Sequence, residues 1–496
     1  MWLSQYLAGH LSTALALLGF SIVAAAALPQ GICRAADAEL GGWYLVDLQD
    51  ARIEKEHRLD TGNNWQTIYT ATVDVRKNDV LRLRGQVEVT NDFRYPLVGA
   101  IRIAANGKVI SPTISQNCTS SFSGHHMPLW CDAAMKLDHE GFVQIDVQYR
   151  AEFTNTMARI KLERGYGHLV VEHYRQFTSL VSAKRAEARG LVQWQTDAEV
   201  DRKTYGGSFE KRSLAYSISM NSLPGDIVRL TGQSTAGWID GELEMHGQTI
   251  LINNRVTASP WATENAARAA QYVPLATDGV HKVNYAGHYQ YAVSMHGVRD
   301  DVVRPIIAAC GHVTAHQFRR LDSSDSRMWR MTSAPLAVAP NRLVVKTNAG
   351  FQSICEHKIR LQQSDVLRVT GMLEIQYPAD YAAGEGIFCK AVSQVVDSEG
   401  KVVARSSYWP KYVTRFLKNL PLRTEQTFEA PEDGEYTVQL QGTANREGAN
   451  INVPIGADGT QLIIEPFSKL SNSKVQVSAA TSSKATESKS ATVSSQ

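Results

Sequence analysis

Metal-ligand residue types crowd one stretch of this sequence, where His125, His126, Cys131, Asp132 and His139 follow one another closely. Their spacing matches none of the zinc signatures, which place Cys or His at short fixed intervals, and we expect no metal there. Motifs for nucleophiles and phosphate binding are missing too: the sequence has no G-x-S-x-G, no H-E-x-x-H and no P-loop. Carboxylates do occur in pairs, at Asp300-Asp301 and Glu432-Asp433. Glycoside hydrolysis needs two of them facing each other across a cleft, whereas sequence neighbours point to opposite faces of a strand or share a turn. Glu432-Asp433-Gly434 reads as a hairpin turn. We therefore expect no catalytic residue, no cofactor and no enzyme.

Aromatic residues are the more promising chemistry. Tyr408-Trp409-Pro410-Lys411-Tyr412 reads as a loop, and Trp130, Trp238 and Trp261 fall near loops or strand ends. Planar rings at a rim stack on sugar faces or anchor a protein partner, although Trp is by default largely buried. Tyr408, Trp409, Tyr412 and Trp130 are the candidate binding residues, for a carbohydrate or protein ligand.

The elements that must carry these residues repeat. NDVLRLRGQ (Asn78 to Gln86) returns as GDIVRLTGQ (Gly225 to Gln233) and SDVLRVTGM (Ser364 to Met372). Gly107-Lys108-Val109, Pro128-Leu129, Gly141 and the segment from His168 meet Gly400-Lys401-Val402, Pro421-Leu422, Gly434 and the segment from Gln461, all 293 positions later. The middle copy is more divergent but keeps GHVTAHQF from Gly311 beside GHLVVEHY from Gly167. Apolar residues alternate with period two: Leu81, Leu83, Val87 and Val89 take one face, Arg82, Arg84, Gln86 and Glu88 the other, which is the pattern of a half-buried strand. Gly-bearing turns such as ANGKV, DSEGKV and EDGEY separate the strands. Gly85, Gly232 and Gly371 read as bends, and only Thr263 to Ala270 suggests a short helix. The fold class is all-β, three tandem β-sandwich units at 39–180, 181–322 and 323–470.

The order of hairpins, long loop, Pro-Leu strand, Gly turn and final strand resembles the tumour-necrosis-factor-like and complement-type jelly rolls. The resemblance implies that three linked copies pack as an intramolecular pseudo-trimer; the alternative is a string of separate beads. It also places the final strand beside the central one, so that Arg82 with Glu172 and Arg368 with Glu465 are cross-strand pair candidates, while His316 stands in the middle copy. These arginines read as an exposed face, each worth well under about 1 kcal/mol. Among the cysteines, Cys118 with Cys131 and Cys355 with Cys389 is the economical disulfide pairing, which sequence alone leaves open. The resembled modules often tie two loops by such a cystine. Cys310 is then a buried free thiol.

The ends suggest export. Ala14 to Leu28 is apolar and too short to span comfortably, and Ala36-Asp37-Ala38 follows as a cleavage pattern, giving a signal peptide over 1–38 that takes Cys33 with it. No Lys or Arg precedes that run, only His10. The tail, 471–496, is rich in Ser, Thr, Ala and Lys and reads as disordered. With 496 residues, 43% hydrophobic and 20% charged, and a net charge of +2, the chain fits about three globular domains. No basic stripe points to nucleic acid, and no membrane span is expected after signal cleavage. The expected role is an exported, non-catalytic binding protein, secreted, periplasmic or on the cell surface. The alternative is a structural component of a cell envelope or extracellular assembly, with self-association.

Overall fold

In the computed structural model, residues 43–469 are described apart from short connecting segments such as 92–96, 120–125, 177–188, 206–212, 238–243, 321–328 and 414–418. The expected signal, Cys33, the Asp300-Asp301 pair and the tail lie outside the described residues. Every helix or strand among those described is a strand, and all named strands pair antiparallel. The short helix expected at Thr263 to Ala270 is absent at its start: Ala262–Ala266 is a strand against Glu244–Ile252.

Each repeat is a two-layered sandwich. One layer is a small sheet of its own: Gly62–Val75, Gly141–Phe153 and Leu97–Ala105 in the first, Ser213–Ser222, Gly287–Arg299 and Glu244–Ile252 in the second, Gln352–Leu361, Gly434–Asn445 and Ile387–Val396 in the third, each with short edge strands. The other layer centres on the strand that begins in the repeated phrase: Val80–Asn91, Ile227–Gly237 and Val366–Gln376. A partner strand flanks it on one side (His126–Lys136, Tyr272–Lys282, Asn419–Glu429) and a final strand on the other (Gly167–Gln176, Ile306–Arg320, Asn452–Lys469). These inner layers do not remain separate, because Trp43 pairs with Leu191, Leu45 with Trp329 and Arg189 with Met331, which joins all three repeats in one 17-stranded sheet.

The repeated phrase has two structural causes. Its first residue ends a turn: Asn78, Gly225 and Ser364 take positive φ of 72°, 87° and 66°. The next residue closes it, since Asp79, Asp226 and Asp365 each accept a 2.8 Å hydrogen bond from the backbone N–H three residues back, a local side-chain-to-backbone bond of the kind Asp favours. The glycine seven residues after the start serves packing rather than a bend. A Cβ on Gly85, Gly232 or Gly371 would stand 2.8 Å from Val147, 2.6 Å from Val293 or 2.7 Å from Leu440, the equivalent side chains of the facing sheet. Between the layers, Leu81, Leu83, Val143, Ile145 and Val147 of the first repeat are fully buried, and matching apolar sets fill the other two.

The expected disulfides are not formed, because Cys131, Cys355 and Cys389 are free, buried thiols. The topology forbids the second pairing: Cys355 and Cys389 lie on Gln352–Leu361 and Ile387–Val396, with Gly434–Asn445 between them. Two inter-strand spacings of roughly 4.8 Å exceed the Cα separation a disulfide tolerates. Cys131 lies opposite Gly85 in the inner layer and Cys118 in the outer sheet opposite Val98. The Cys118 side chain and that of Cys310, placed by its backbone opposite Thr235, lie outside the described residues.

Gly232→Ala is expected to destabilise the protein by about 1–3 kcal/mol through overpacking, and Val293→Ala in the same chain to recover part of that loss; denaturant unfolding of both variants measures it.

Candidate functional site

The polar face of the three central strands meets other protein, not water. At one end Val80, Ile227 and Val366, paired with Tyr174, Phe318 and Phe467, close an apolar plug together with Trp43, Leu45 and Leu191. Two residues further along, Arg82, Arg229 and Arg368 stand opposite Glu172, His316 and Glu465. A second step brings Arg84, Thr231 and Thr370 opposite Asp132, Asp278 and Glu425. All of these side chains are buried. Strand alternation alone builds the layers, since residues two apart share a face.

The ion pairs cross between repeats. Arg84 of the first reaches Asp278 of the second at 3.2 Å and Glu425 of the third at 3.4 Å. Arg229 of the second holds Glu465 of the third at 3.2 Å and its own Asp278 at 3.0 Å. Arg368 of the third binds Glu172 of the first, and its Nε donates to Glu425 at 2.8 Å. Arg423 of the third donates to Asp278 at 2.8 Å, and His312 of the second meets Asp132 of the first at 2.9 Å. The expected registers of Arg82 with Glu172 and Arg368 with Glu465 hold, at 3.3 and 3.9 Å. The exposed face expected for these arginines is corrected: Arg229 and Arg368 are among the largest fully buried side chains. Alternating polar residues look the same in a sequence whether they face solvent or another repeat.

Electrostatics follow from this packing. Burial would raise the Glu425 carboxyl, but Arg368, Arg84 and Arg423 outweigh it and hold Glu425 well below the usual carboxylate range. Burial and then Arg423, Arg229 and Arg84 act on Asp278 in the same opposed way, and it too is driven well down. His316 occupies the seat of Glu172 and Glu465. Burial first, then Arg82, Arg84, Arg368 and Arg229, push its basicity well down, so the ring is neutral. Neither ring nitrogen has a hydrogen-bond partner among the described residues. These buried ions, paired from repeat to repeat, hold the three repeats together.

The surface with recognition chemistry is the outer face of the third repeat's small sheet. Along Ile387–Val396, Phe388 and Lys390 alternate with the buried Ile387, Cys389 and Ala391. The edge strand Trp409–Val413 sets Tyr412 opposite Phe388, their rings 4.9 Å apart, and Pro410 opposite Lys390. Tyr408 stacks on Phe351 at 5.8 Å, and the Lys390 ammonium lies 5.0 Å from the Phe388 ring and 5.7 Å from the Tyr408 ring. Beside them Arg405 donates to Gln394 at 2.9 Å and to the Tyr408 hydroxyl at 3.4 Å, and Gln394 and Gln441 both donate to Gln439.

Of the aromatic candidates, Tyr408 and Tyr412 are thus brought together, both half-buried, Tyr412 on the edge strand and Tyr408 in the connection just before it. Trp409 pairs by its backbone with Ala391, and its side chain, like Trp238 and Trp261 as a whole, lies outside the described residues. Trp130 is corrected as a rim residue: it is 3% exposed, inside the inner layer opposite Gln86. Phe351, Phe388, Lys390 and the glutamine ladder were missed from sequence, although alternation along Phe388–Ala391 carries the signal. His139 is half-exposed beside Asp138, and among the described residues no three His, Cys, Asp or Glu side chains gather as metal ligands. No helix among them is long and apolar enough to cross a membrane. Compared with known proteins, the chain matches no family model and no curated protein.

Acid should loosen the core. Glu425, bound below its usual value near 4.5, gives its full contribution above that pH and loses it as pH falls further. His316, kept neutral, loses its contribution as pH falls below about 6.5. The unfolding midpoint of the wild type is therefore expected to drop from pH 7 towards pH 5 more steeply than that of His316→Gln. In a separate measurement at pH 7, Glu425→Gln should cost about 3–5 kcal/mol, the effect of leaving buried arginines uncompensated.

Proposed function

We propose that the chain is an exported, non-catalytic binding protein that presents the outer sheet face of its third repeat to a carbohydrate. The observation that carries this reading is the cluster of Phe351, Phe388, Tyr408 and Tyr412 with Lys390 on one half-buried face. Rings held in this way offer flat apolar surface at little entropic cost. The neighbouring half-buried Gln439, Gln441 and Arg405 supply donors and acceptors of the kind hydroxyl groups require. Rigidity favours the role as well, since a platform on paired strands is positioned more accurately than one on loops.

A second reading, a structural component of an envelope or extracellular assembly, is favoured by Phe142 and Tyr285, which are 74% and 77% exposed near the turns of the first and second repeats. Such apolar tips suit contact with another copy or a surface.

Binding to a panel of neutral polysaccharides by affinity electrophoresis separates the two. Tyr408→Ala and Phe388→Ala should each weaken retention about three- to tenfold, the range for one aromatic contact. Retention by none of the polymers, together with concentration-dependent assembly that Phe142→Ser abolishes, would decide for the structural reading.

A further inference from the structure

The corner of the small sheet that holds Phe351 in the third repeat has a counterpart in the first. In both repeats the opening strand carries a register shift two residues before the side chain that packs under the central glycine's layer: Thr67 to Tyr69 opposite Gln148 and Val147, Ser353 to Cys355 opposite Gln441 and Leu440. Counting back from it, Trp65 takes the position of Phe351. Around Trp65 the chemistry is cationic. The Arg102 guanidinium lies 4.1 Å from the indole centroid and that of Arg150 4.9 Å, and Arg102 Nε donates to Gln148 at 2.8 Å. All four side chains are half-buried on the outer face.

The sheet itself does not require this arrangement. The register equivalents of Arg102 and Gln148 are Thr249 and Ser294 in the second repeat, Val392 and Gln441 in the third, and Thr443 replaces Arg150. The same fold is built there without a guanidinium. Arg102 has no carboxylate partner among the described residues, and burial, then the neighbouring Arg150, lowers its basicity, a repulsion that a bound anion would relieve. A guanidinium held over an indole by cation–π attraction retains N–H donors for the bidentate hydrogen bonds that carboxylates and sulfates accept.

We propose that Trp65, Arg102, Gln148 and Arg150 form a second subsite, which takes the acidic group of a charged glycan. The proposal rests on the glycan-binding reading above and adds that the sugar bears a carboxylate or sulfate. Lys390 beside the rings of the third repeat gives that platform a matching positive charge.

Calorimetric titration of the full chain at about 0.15 M salt, where long-range attraction is largely screened, tests it with two polymer pairs that differ only in charge. These are dextran sulfate with dextran, and polygalacturonate with its methyl ester; the pair that discriminates tells sulfate from carboxylate. The charged member should bind at least about tenfold more tightly. Arg102→Gln should remove that preference with an unchanged melting temperature, Arg102→Lys should restore only part of it, and the exposed Lys282→Gln should leave it intact. Equal binding of both members of each pair, or equal losses in Lys282→Gln and Arg102→Gln, would overturn the acidic subsite. If neutral polysaccharides still depend on Tyr408 in that case, the ring platform stands and only the subsite falls; if no polymer binds at all, both fall.

Discussion

Burying five arginines in the middle of a protein is the constraint from which the rest of the structure follows. Arg82, Arg84, Arg229, Arg368 and Arg423 are withdrawn from water with Asp132, Glu172, Asp278, Glu425 and Glu465, and each ion loses several kcal/mol of hydration that only close, well-placed partners offset. The charges balance within each repeat: two arginines with Asp132 and Glu172 in the first, Arg229 with Asp278 in the second, two arginines with Glu425 and Glu465 in the third. The contacts do not stay within a repeat, since Arg84 needs the second and third, Arg229 the third and Arg368 the first. A single repeat exposed at this face would carry a neutral but unsatisfied set of ions. Packing all three together supplies the partners that a lone repeat lacks, and the apolar plug of Val80, Ile227 and Val366 closes one end.

That arrangement also decides what could be read from the sequence. Repetition, strand alternation and Gly-bearing turns are local signals, so the all-β class was legible, while the pairing of Arg82 with Glu172 came from the order of strands in the resembled jelly rolls. Burial of the polar face was not. An arginine every second residue satisfies a solvent-facing strand and an inter-repeat core equally, and only the location of the other two repeats separates them. The cysteines failed for a related reason: nearness in the chain, as for Cys355 and Cys389, says nothing of the strand Gly434–Asn445 that enters the sheet between them. In the platform, Tyr408 and Tyr412 were legible as clustered aromatics, whereas Phe351 joins them from just before a strand far away in sequence and left no local mark.

Differences among the copies show which features the fold demands. Gly167 and Gly311 make room for the hydroxyls of Tyr69 and Tyr216, which would collide with any Cβ there. In the third repeat Cys355 takes the tyrosine's place, and Thr460, preceding Gln461 as Gly167 precedes His168, bears a side chain that accepts a hydrogen bond from the Glu374 backbone. Tyrosine and glycine are thus replaced together, as close packing requires. The central glycines are retained in all three copies because Val147, Val293 and Leu440 press on them equally. Repeated residues therefore mark packing necessity.

The outer faces obey no such necessity, and both proposed binding surfaces lie on them. Thr249 and Ser294 in the second repeat, Val392 and Gln441 in the third, and Arg102 and Gln148 in the first occupy one register position on identical sheet geometry. With the inner layers fixed by charge pairing and the sandwich cores by glycine and valine, side chains on the outer sheets can change without altering the backbone that carries them. Three sandwiches joined through one 17-stranded sheet then carry chemically different faces, one cationic around Trp65 and one aromatic around Tyr408. A ligand that met both proposed faces would be held at two points, and modest contacts at each would combine in its affinity.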